Sequence, residues 1–311
     1  GTGVGNARGT STNPDGVQLN TATLAAGGGN LTINGQGGAS TTASARGVAL
    51  MGSTLSTTGA GSVNIQGIGG NSTNTTTDYY VGLNTGVLVN GGSITGGSTG
   101  AVALTGAGGA GSAAYNYGVS VTNSGAVTST GSGVSVTGTG GGTGTSDRNI
   151  GVQVSLSGQI TSGGGNVNVT GNGGSTTTGG LNAGVGVVDG GKIIGINSAN
   201  VTINATGGAN GSSSGNDNFG LWVYGTGTAA PLIQSASGNI NITGAAGGVT
   251  ASTGRYGITV GGDSKVTSTA GQVIMTTDSV NLIDNVLVSA NTTNGTVTVQ
   301  NRTAGSLINV G

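Results

Sequence analysis

Histidine, cysteine and glutamate are absent from this sequence, so the commonest general base, the thiolate nucleophile and the thiolate or imidazole metal site lack their central residues. What remains for acid chemistry is eight Asp, set against seven Lys or Arg for a net charge of −1. These acids are scattered along the chain, whereas glycosidases place two carboxyl groups on either side of one bond. The expectation is a protein that is not an enzyme and carries no cofactor. A calcium-binding nonapeptide array would repeat Gly-Gly-X-Gly-X-Asp, and only the stretch from Gly141 to Asp147 comes near it, once. The residues best suited to binding are aromatic: Trp222 and Tyr224, with Tyr79, Tyr80 and Tyr115, form a candidate surface-contact set. Flat rings of this kind stack on sugars, which makes glycans the ligand class they would suit; packing within loops is the competing role.

Composition narrows the partners further. No basic cluster stands ready to neutralise a run of phosphates, so nucleic acid is not an expected partner. No apolar run approaches the roughly 18 to 20 residues of a membrane-spanning helix, and no membrane insertion is expected. Gly occupies 72 positions and only 5% of residues are charged, which fits neither a collagen period nor the usual highly charged disordered chain.

The elements that must position the aromatic residues emerge from internal repetition. Three short patterns recur in fixed order. Strand A reads Gly, aliphatic, any, aliphatic, as in Gly47-Val48-Ala49-Leu50, Gly118-Val119-Ser120-Val121 and Gly220-Leu221-Trp222-Val223, ending in a weaker copy at Asn285-Val286-Leu287-Val288. Strand B supplies one aliphatic residue seven or eight positions later, at Leu24, Leu55, Ile94, Val127, Ile160, Ile193, Ile233 (delayed by an insertion from Gly225 to Pro231) and Val266. Strand C follows as aliphatic, polar, aliphatic, as in Val63-Asn64-Ile65 and Val167-Asn168-Val169. The C to A connection varies in length and carries Gly-Gly, Asn and Thr clusters, which mark loops. Short period-two segments at a mean period of about 34 residues predict an all-β, right-handed, three-sided parallel β-helix of about nine coils. A helical repeat is excluded because β-branched residues alternate at period two and Gly interrupts every segment. The organisation is one β-helix domain over 1–311, with an incomplete first coil in 1–16, the main repeats in 17–300 and a terminal strand in 301–311.

Several side-chain placements follow. The residues between the aliphatics of strand C, such as Asn64, Asn168 and Asn241, should form outward columns in which stacked Asn and Thr hydrogen-bond along the axis. Alternation should turn Tyr117, Ile150, Ala183, Phe219 and Tyr256 inward, to plug the corner under the long loop, and Trp222 outward. Asp189 with Lys192, and Asp263 with Lys265, should make weak surface ion pairs.

The repeated Gly-Asn-aliphatic-X-aliphatic pattern, as in Gly29-Asn30-Leu31-Thr32-Ile33, Gly165-Asn166-Val167-Asn168-Val169 and Gly238-Asn239-Ile240-Asn241-Ile242, resembles the β-helical repeats of filamentous-haemagglutinin-like adhesins and autotransporter passengers of bacteria, over roughly residues 17 to 300. The resemblance implies an extracellular or cell-surface protein acting as fibre, spacer or adhesin. The two ends look like interrupted coils rather than polar caps. Val4 precedes Val17 as Val273 precedes Val286, and the chain stops in a strand-like Leu307-Ile308-Asn309-Val310. Either the coils continue into a longer parent, or Val4, Leu307, Ile308 and Val310 take part in head-to-tail assembly of identical subunits. The expected function is a secreted structural fibre or surface filament subunit; the alternative is an adhesin that binds glycans or surfaces through its long loops.

Overall fold

A computed structural model describes residues 7–74, 79–176, 178–208, 216–248, 254–291 and 295–310. The chain is a three-sided parallel β-helix: among the described residues its faces are two ten-stranded sheets and one nine-stranded sheet, each built from every third strand or so of the sequence, and a small fourth sheet pairs Ala39–Ser40 with Asn71–Ser72. One coil shows the plan, with Val119–Thr122 on face A, Ala126–Ser129 on face B and Val134–Thr139 on face C. Each strand pairs in parallel, and without slippage, with its copy in the coils before and after: Val121 lies between Val89 and Val154, Val127 between Ile94 and Ile160, and Val136 between Leu104 and Val169.

The in-register stack is what the aliphatic columns dictate. Val and Ile suit a pleated surface buried on one side. A slip of one residue would send every inward side chain out to solvent. Inside the three faces these side chains form one continuous lumen core, in which Val48, Leu50, Leu55, Ile65, Val121, Ile160, Val169 and Ile233 are wholly buried. Each such burial stabilises by roughly 1.5–3 kcal/mol relative to exposure.

Glycine makes the sharp corner between faces C and A possible. A Cβ on Gly138 of face C would lie 2.0 Å from the carbonyl oxygen of Gly151, which opens face A of the next coil, and Gly67 and Gly106 meet Gly86 and Gly118 in the same way. Between these two glycines the chain makes its long excursion outward. Leaving and re-entering the stack there strands buried polar groups, and an asparagine ladder satisfies them. Asn84, Asn116, Asn149, Asn182 and Asn218 are completely buried, each two residues before the face A glycine. The amide of Asn84 donates to Asn116 Oδ1 (2.6 Å), Asn116 Nδ2 to Asn149 Oδ1 (2.7 Å), and Asn149 Nδ2 to Asn182 Oδ1 (2.9 Å). Side-chain oxygens also receive backbone amides: Asn149 N donates to Asn182 Oδ1 and Asn182 N to Asn218 Oδ1, both at 2.9 Å.

This differs from the ladder expected on face C. Along its outward columns one side chain–side chain bond is found among the described residues, from Gln300 Nε2 to Thr276 Oγ1. Outward Asn and Thr keep access to solvent and gain little by bonding to each other, whereas the corner amides are buried and must be paired. The Asn of the Gly-Asn-aliphatic pattern does a similar task at the B to C corner, where Asn166 Oδ1 accepts from Asn200 N, Asn200 Oδ1 from Asn239 N, and Asn239 Oδ1 from Gln272 N.

Near the carboxy end the structure corrects the reading of the last coil. Leu287–Ala290 belongs to face B, pairing with Lys265–Ser268, so Val288 rather than Val286 takes a repeat position, and it is the face B one. Face A of that coil is Ser279–Leu282, paired with Ile258 to Val260. The long excursion is missing here, and Asp278 alone joins faces C and A. The analogy between the Val273–Val286 and Val4–Val17 spacings therefore fails. The Asp278 carboxylate accepts from Thr303 Oγ1 and Thr303 N (both 2.7 Å), bonds that hold its pKa below the usual range. Asn309–Val310 then pairs with Ser279 and Val280 on face A. At the other end Ala7–Arg8 pairs with Gly35 and Gln36 on face C; Val4 lies outside the described residues. Leu307 is 92% exposed, while Ile308 packs against the lumen core.

Replacing Asn149 by Ala removes the oxygen that accepts from Asn116 N, Asn116 Nδ2 and Ser146 Oγ. It should destabilise the chain by about 1–3 kcal/mol, read as a lower denaturant midpoint. Asn168→Ala on the outward side of face C should stay within about 0.5 kcal/mol.

Candidate functional site

Face A differs from the other faces on its outside. Its outward column runs in register through Ala49, Leu88, Ser120, Gln153, Gly186, Trp222, Thr259 and Asn281. Ala49, Leu88, Ser120, Gln153 and Thr259 are buried, although alternation points them away from the lumen. The cover is the set of C to A excursions folded back over the face. Val81 packs with Ala49 and Leu88, and Ser120 Oγ donates to the Tyr80 carbonyl at 2.8 Å.

Tyr117, Ile150, Ala183 and Phe219 are part of this cover, which corrects the inward orientation expected for them. With Tyr115 they form a cluster separate from the lumen core, joined by half-buried Tyr79, Leu181, Trp222 and Tyr256. The bare position at Gly186 shows which side they occupy: a Cβ there would stand 3.6 Å from Ile150 Cδ1 and 3.7 Å from Trp222 Cε3. The chain turns at each face A glycine, so period-two alternation cannot be extended backward through it.

The structure places the five candidate aromatics on this one spine, in two groups. At one end Tyr79 meets Tyr80 and Tyr115 edge to face, with centroids 4.7 and 5.7 Å apart, and the Arg148 guanidinium stands over the Tyr79 and Tyr115 rings. Tyr80 Oη donates to Asp189 Oδ2 at 3.0 Å, and Tyr117 Oη donates to the Tyr79 carbonyl. Tyr115 is only 8% exposed, while Tyr79 and Tyr80 are half-buried. Burial, and then the Asp189 charge, push the Tyr79 phenol up to about 12; burial and the hydrogen bond to Asp189 raise that of Tyr80.

Asp189 is thus held by a tyrosine, and the Asp189–Lys192 and Asp263–Lys265 ion pairs do not form. Asp263 instead accepts from the Gly227 amide across the insertion turn. The ion pairs among the described residues are Arg46–Asp15, Arg148–Asp147 and Arg302–Asp278, at 3.4–3.5 Å.

At the other end the spine opens into a mostly apolar groove of about 390 Å³. Its floor is the outward column Trp222, Thr259 and Asn281; its walls are Tyr224 and Ile283 on one side and Leu181, Asp217, Phe219, Gly254 and Tyr256 on the other. Trp222 stacks against Phe219 at 6.3 Å and an interplanar angle of 27°. Gly261 has no Cβ because Tyr224 Cδ2 and Ile283 Cγ1 occupy its place, 2.9 and 2.6 Å from where one would sit. Thr259 Oγ1 is buried with no hydrogen-bond partner. Burial raises the Asp217 carboxyl above its ordinary pKa. A larger recess of about 520 Å³ beside Asn13, Asp15 and Arg46 has no aromatic wall, and its Asp15 and Arg46 side chains are paired with each other.

Of the groove residues, Trp222 and Tyr224 were identifiable from sequence, and aligning the face A copies also places Thr259 beside Trp222, whereas the weak last copy puts Leu287 where the structure has Asn281. Phe219 and Tyr256 share the periodic position before the face A glycine, which alternation alone turns inward, whereas Asp217, Asn281 and Ile283 come from a loop and from the re-registered last coil, for which no periodic signal exists. Among the described residues no group of three or more acids gathers to hold a metal ion. Comparison of the chain with protein-family models, curated proteins and solved structures found no match.

The neutral Tyr79 phenol makes stability pH-dependent in a defined direction. Its raised pKa contributes stability that is whole below about pH 10 and lost as pH rises toward about 12. Phenolate absorbance should show late tyrosine ionisation, and Tyr79→Phe should reduce its amplitude and lessen the alkaline loss of stability. An unchanged alkaline profile in the variant would contradict the assignment.

Proposed function

We propose that the chain is a β-helical element of a secreted or cell-surface fibre, a rod whose task is mechanical. The observation that carries this reading is the continuity of bonding along one axis: three parallel backbone ladders with the buried Asn84 to Asn218 ladder beside them. In such a stack each strand pairs only with its copies in the neighbouring coils, and the ladders can be extended without altering any of them. The repeated Gly-Asn-aliphatic motif supports the same reading through its resemblance to bacterial exoproteins. Val297 and Val299, at lumen positions of the final face C strand, are 44% and 38% exposed, the kind of apolar edge that a further coil, from the same chain or another, would cover.

Electron micrographs of the purified chain should show rods joined end to end, shortened by Val297→Lys combined with Val299→Lys. Isolated rods at every concentration would exclude head-to-tail assembly.

The groove at Trp222 favours a second reading, an adhesin that binds saccharide. Aromatic walls supply the stacking surface, and beneath them the Thr259 hydroxyl is buried without a partner. On a glycan array, binding should be saturable and should fall at least tenfold in Trp222→Ala while the circular dichroism spectrum stays the same. Equal binding by the variant would remove the groove from the account.

A further inference from the structure

We infer that the Trp222 groove selects uncharged saccharides and rejects sialylated, sulfated or otherwise anionic ones, an inference that rests on the saccharide-binding reading. The groove contains a single charge, the Asp217 carboxylate, and no Lys or Arg among its lining residues. Asp217 takes part in none of the ion pairs found among the described residues, so its charge is not cancelled locally. The nearby Arg255 is turned away, its Nε donating to the Gly247 carbonyl at 3.0 Å, and it lines a different recess with Asp278 and Arg302. A carboxylate or sulfate entering the groove would therefore meet a like charge, with no cation to offset the loss of its own hydration.

A neutral sugar meets none of that penalty and uses what the groove offers. Thr259 is 3% exposed, and its Oγ1 has no partner in the fold. A hydroxyl is both donor and acceptor, the complement of a sugar hydroxyl; closed to solvent in the free protein, it would pair with a ligand after a rotation about the Thr259 Cα–Cβ bond, relieving the cost of an unpaired buried group. Asp217 adds an acceptor at the rim. Its Oδ1 would lie 1.9 Å from a Cβ at Gly254, so only glycine at 254 leaves the carboxylate its place. The volume of about 390 Å³ is near the small end of the roughly 300–1,000 Å³ of ligand sites, which suits one or two sugar rings rather than a long chain.

The test uses the whole chain against matched neutral, sialylated and sulfated oligosaccharides, with choline as a cationic probe, by titration calorimetry. Neutral sugars should bind at least tenfold more tightly than their anionic counterparts. Thr259→Val, which keeps the shape, should weaken neutral binding about fivefold, the equivalent of one hydrogen bond of about 1 kcal/mol. Asp217→Asn should narrow the gap between neutral and anionic sugars to less than threefold. Anionic sugars or choline binding as tightly as neutral sugars, or a gap unchanged in Asp217→Asn, would overturn the selectivity alone. If wild type binds no saccharide of any charge, the saccharide reading itself fails and the selectivity falls with it.

Discussion

A parallel stack of coils can be extended only if the chain can leave it, make a loop and return without stranding buried backbone groups. In this protein that condition is met at the corner between faces C and A. Two glycines there pack so closely that no Cβ fits between them, and five buried asparagines pass hydrogen bonds from coil to coil beside them. A primary amide is well suited to the position, because it can donate to one neighbour while its oxygen accepts from the other. With the corner secured, loops of different length hang from an unchanged stack, and the three aliphatic faces keep register past every insertion.

Those loops build something the repeat does not contain. Folded back over face A, they enclose a second apolar layer outside the lumen, from Val81 over Ala49 and Leu88 to Phe219 beside Trp222. Face C lacks such a cover and has the Asn and Thr surface of a solvated sheet. The outer layer closes tightly around Tyr115 and Tyr117 and stays partly open around Trp222 and Tyr224. The shift from closed to open coincides with the coil that has no excursion, where Asp278 alone joins faces C and A and, among the described residues, Asn281 and Ile283 line the open groove. The groove is thus a consequence of one missing loop.

Fibre and adhesin are compatible on this architecture. A stack stabilised by nearest-neighbour contacts tolerates variation on its outside, because the lumen columns and corner ladder carry register and the loops carry surface chemistry. The few charged residues act locally, in a turn as Asp263 does or in short ion pairs such as Arg46–Asp15, and none gathers into a reactive constellation among the described residues.

The sequence by itself determined the three-sided stack, because inward aliphatics at period two and a glycine at each corner admit one register, and a single slip would expose every column. It also held the corner ladder in plain view: Asn84, Asn116, Asn149, Asn182 and Asn218 share one offset from the face A glycine, but nothing local distinguishes them from the outward Asn of face C. Burial makes the distinction, and burial is a property of the folded corner. Tertiary structure alone decided that Tyr117 and Phe219 lie outside the lumen, that Tyr80 reaches Asp189, and that Leu287–Ala290 belongs to face B. Each depends on where an excursion of irregular length returns and which coil it covers. Periodicity encodes contacts between equivalent residues in adjacent coils, and it has no term for a loop that packs across them.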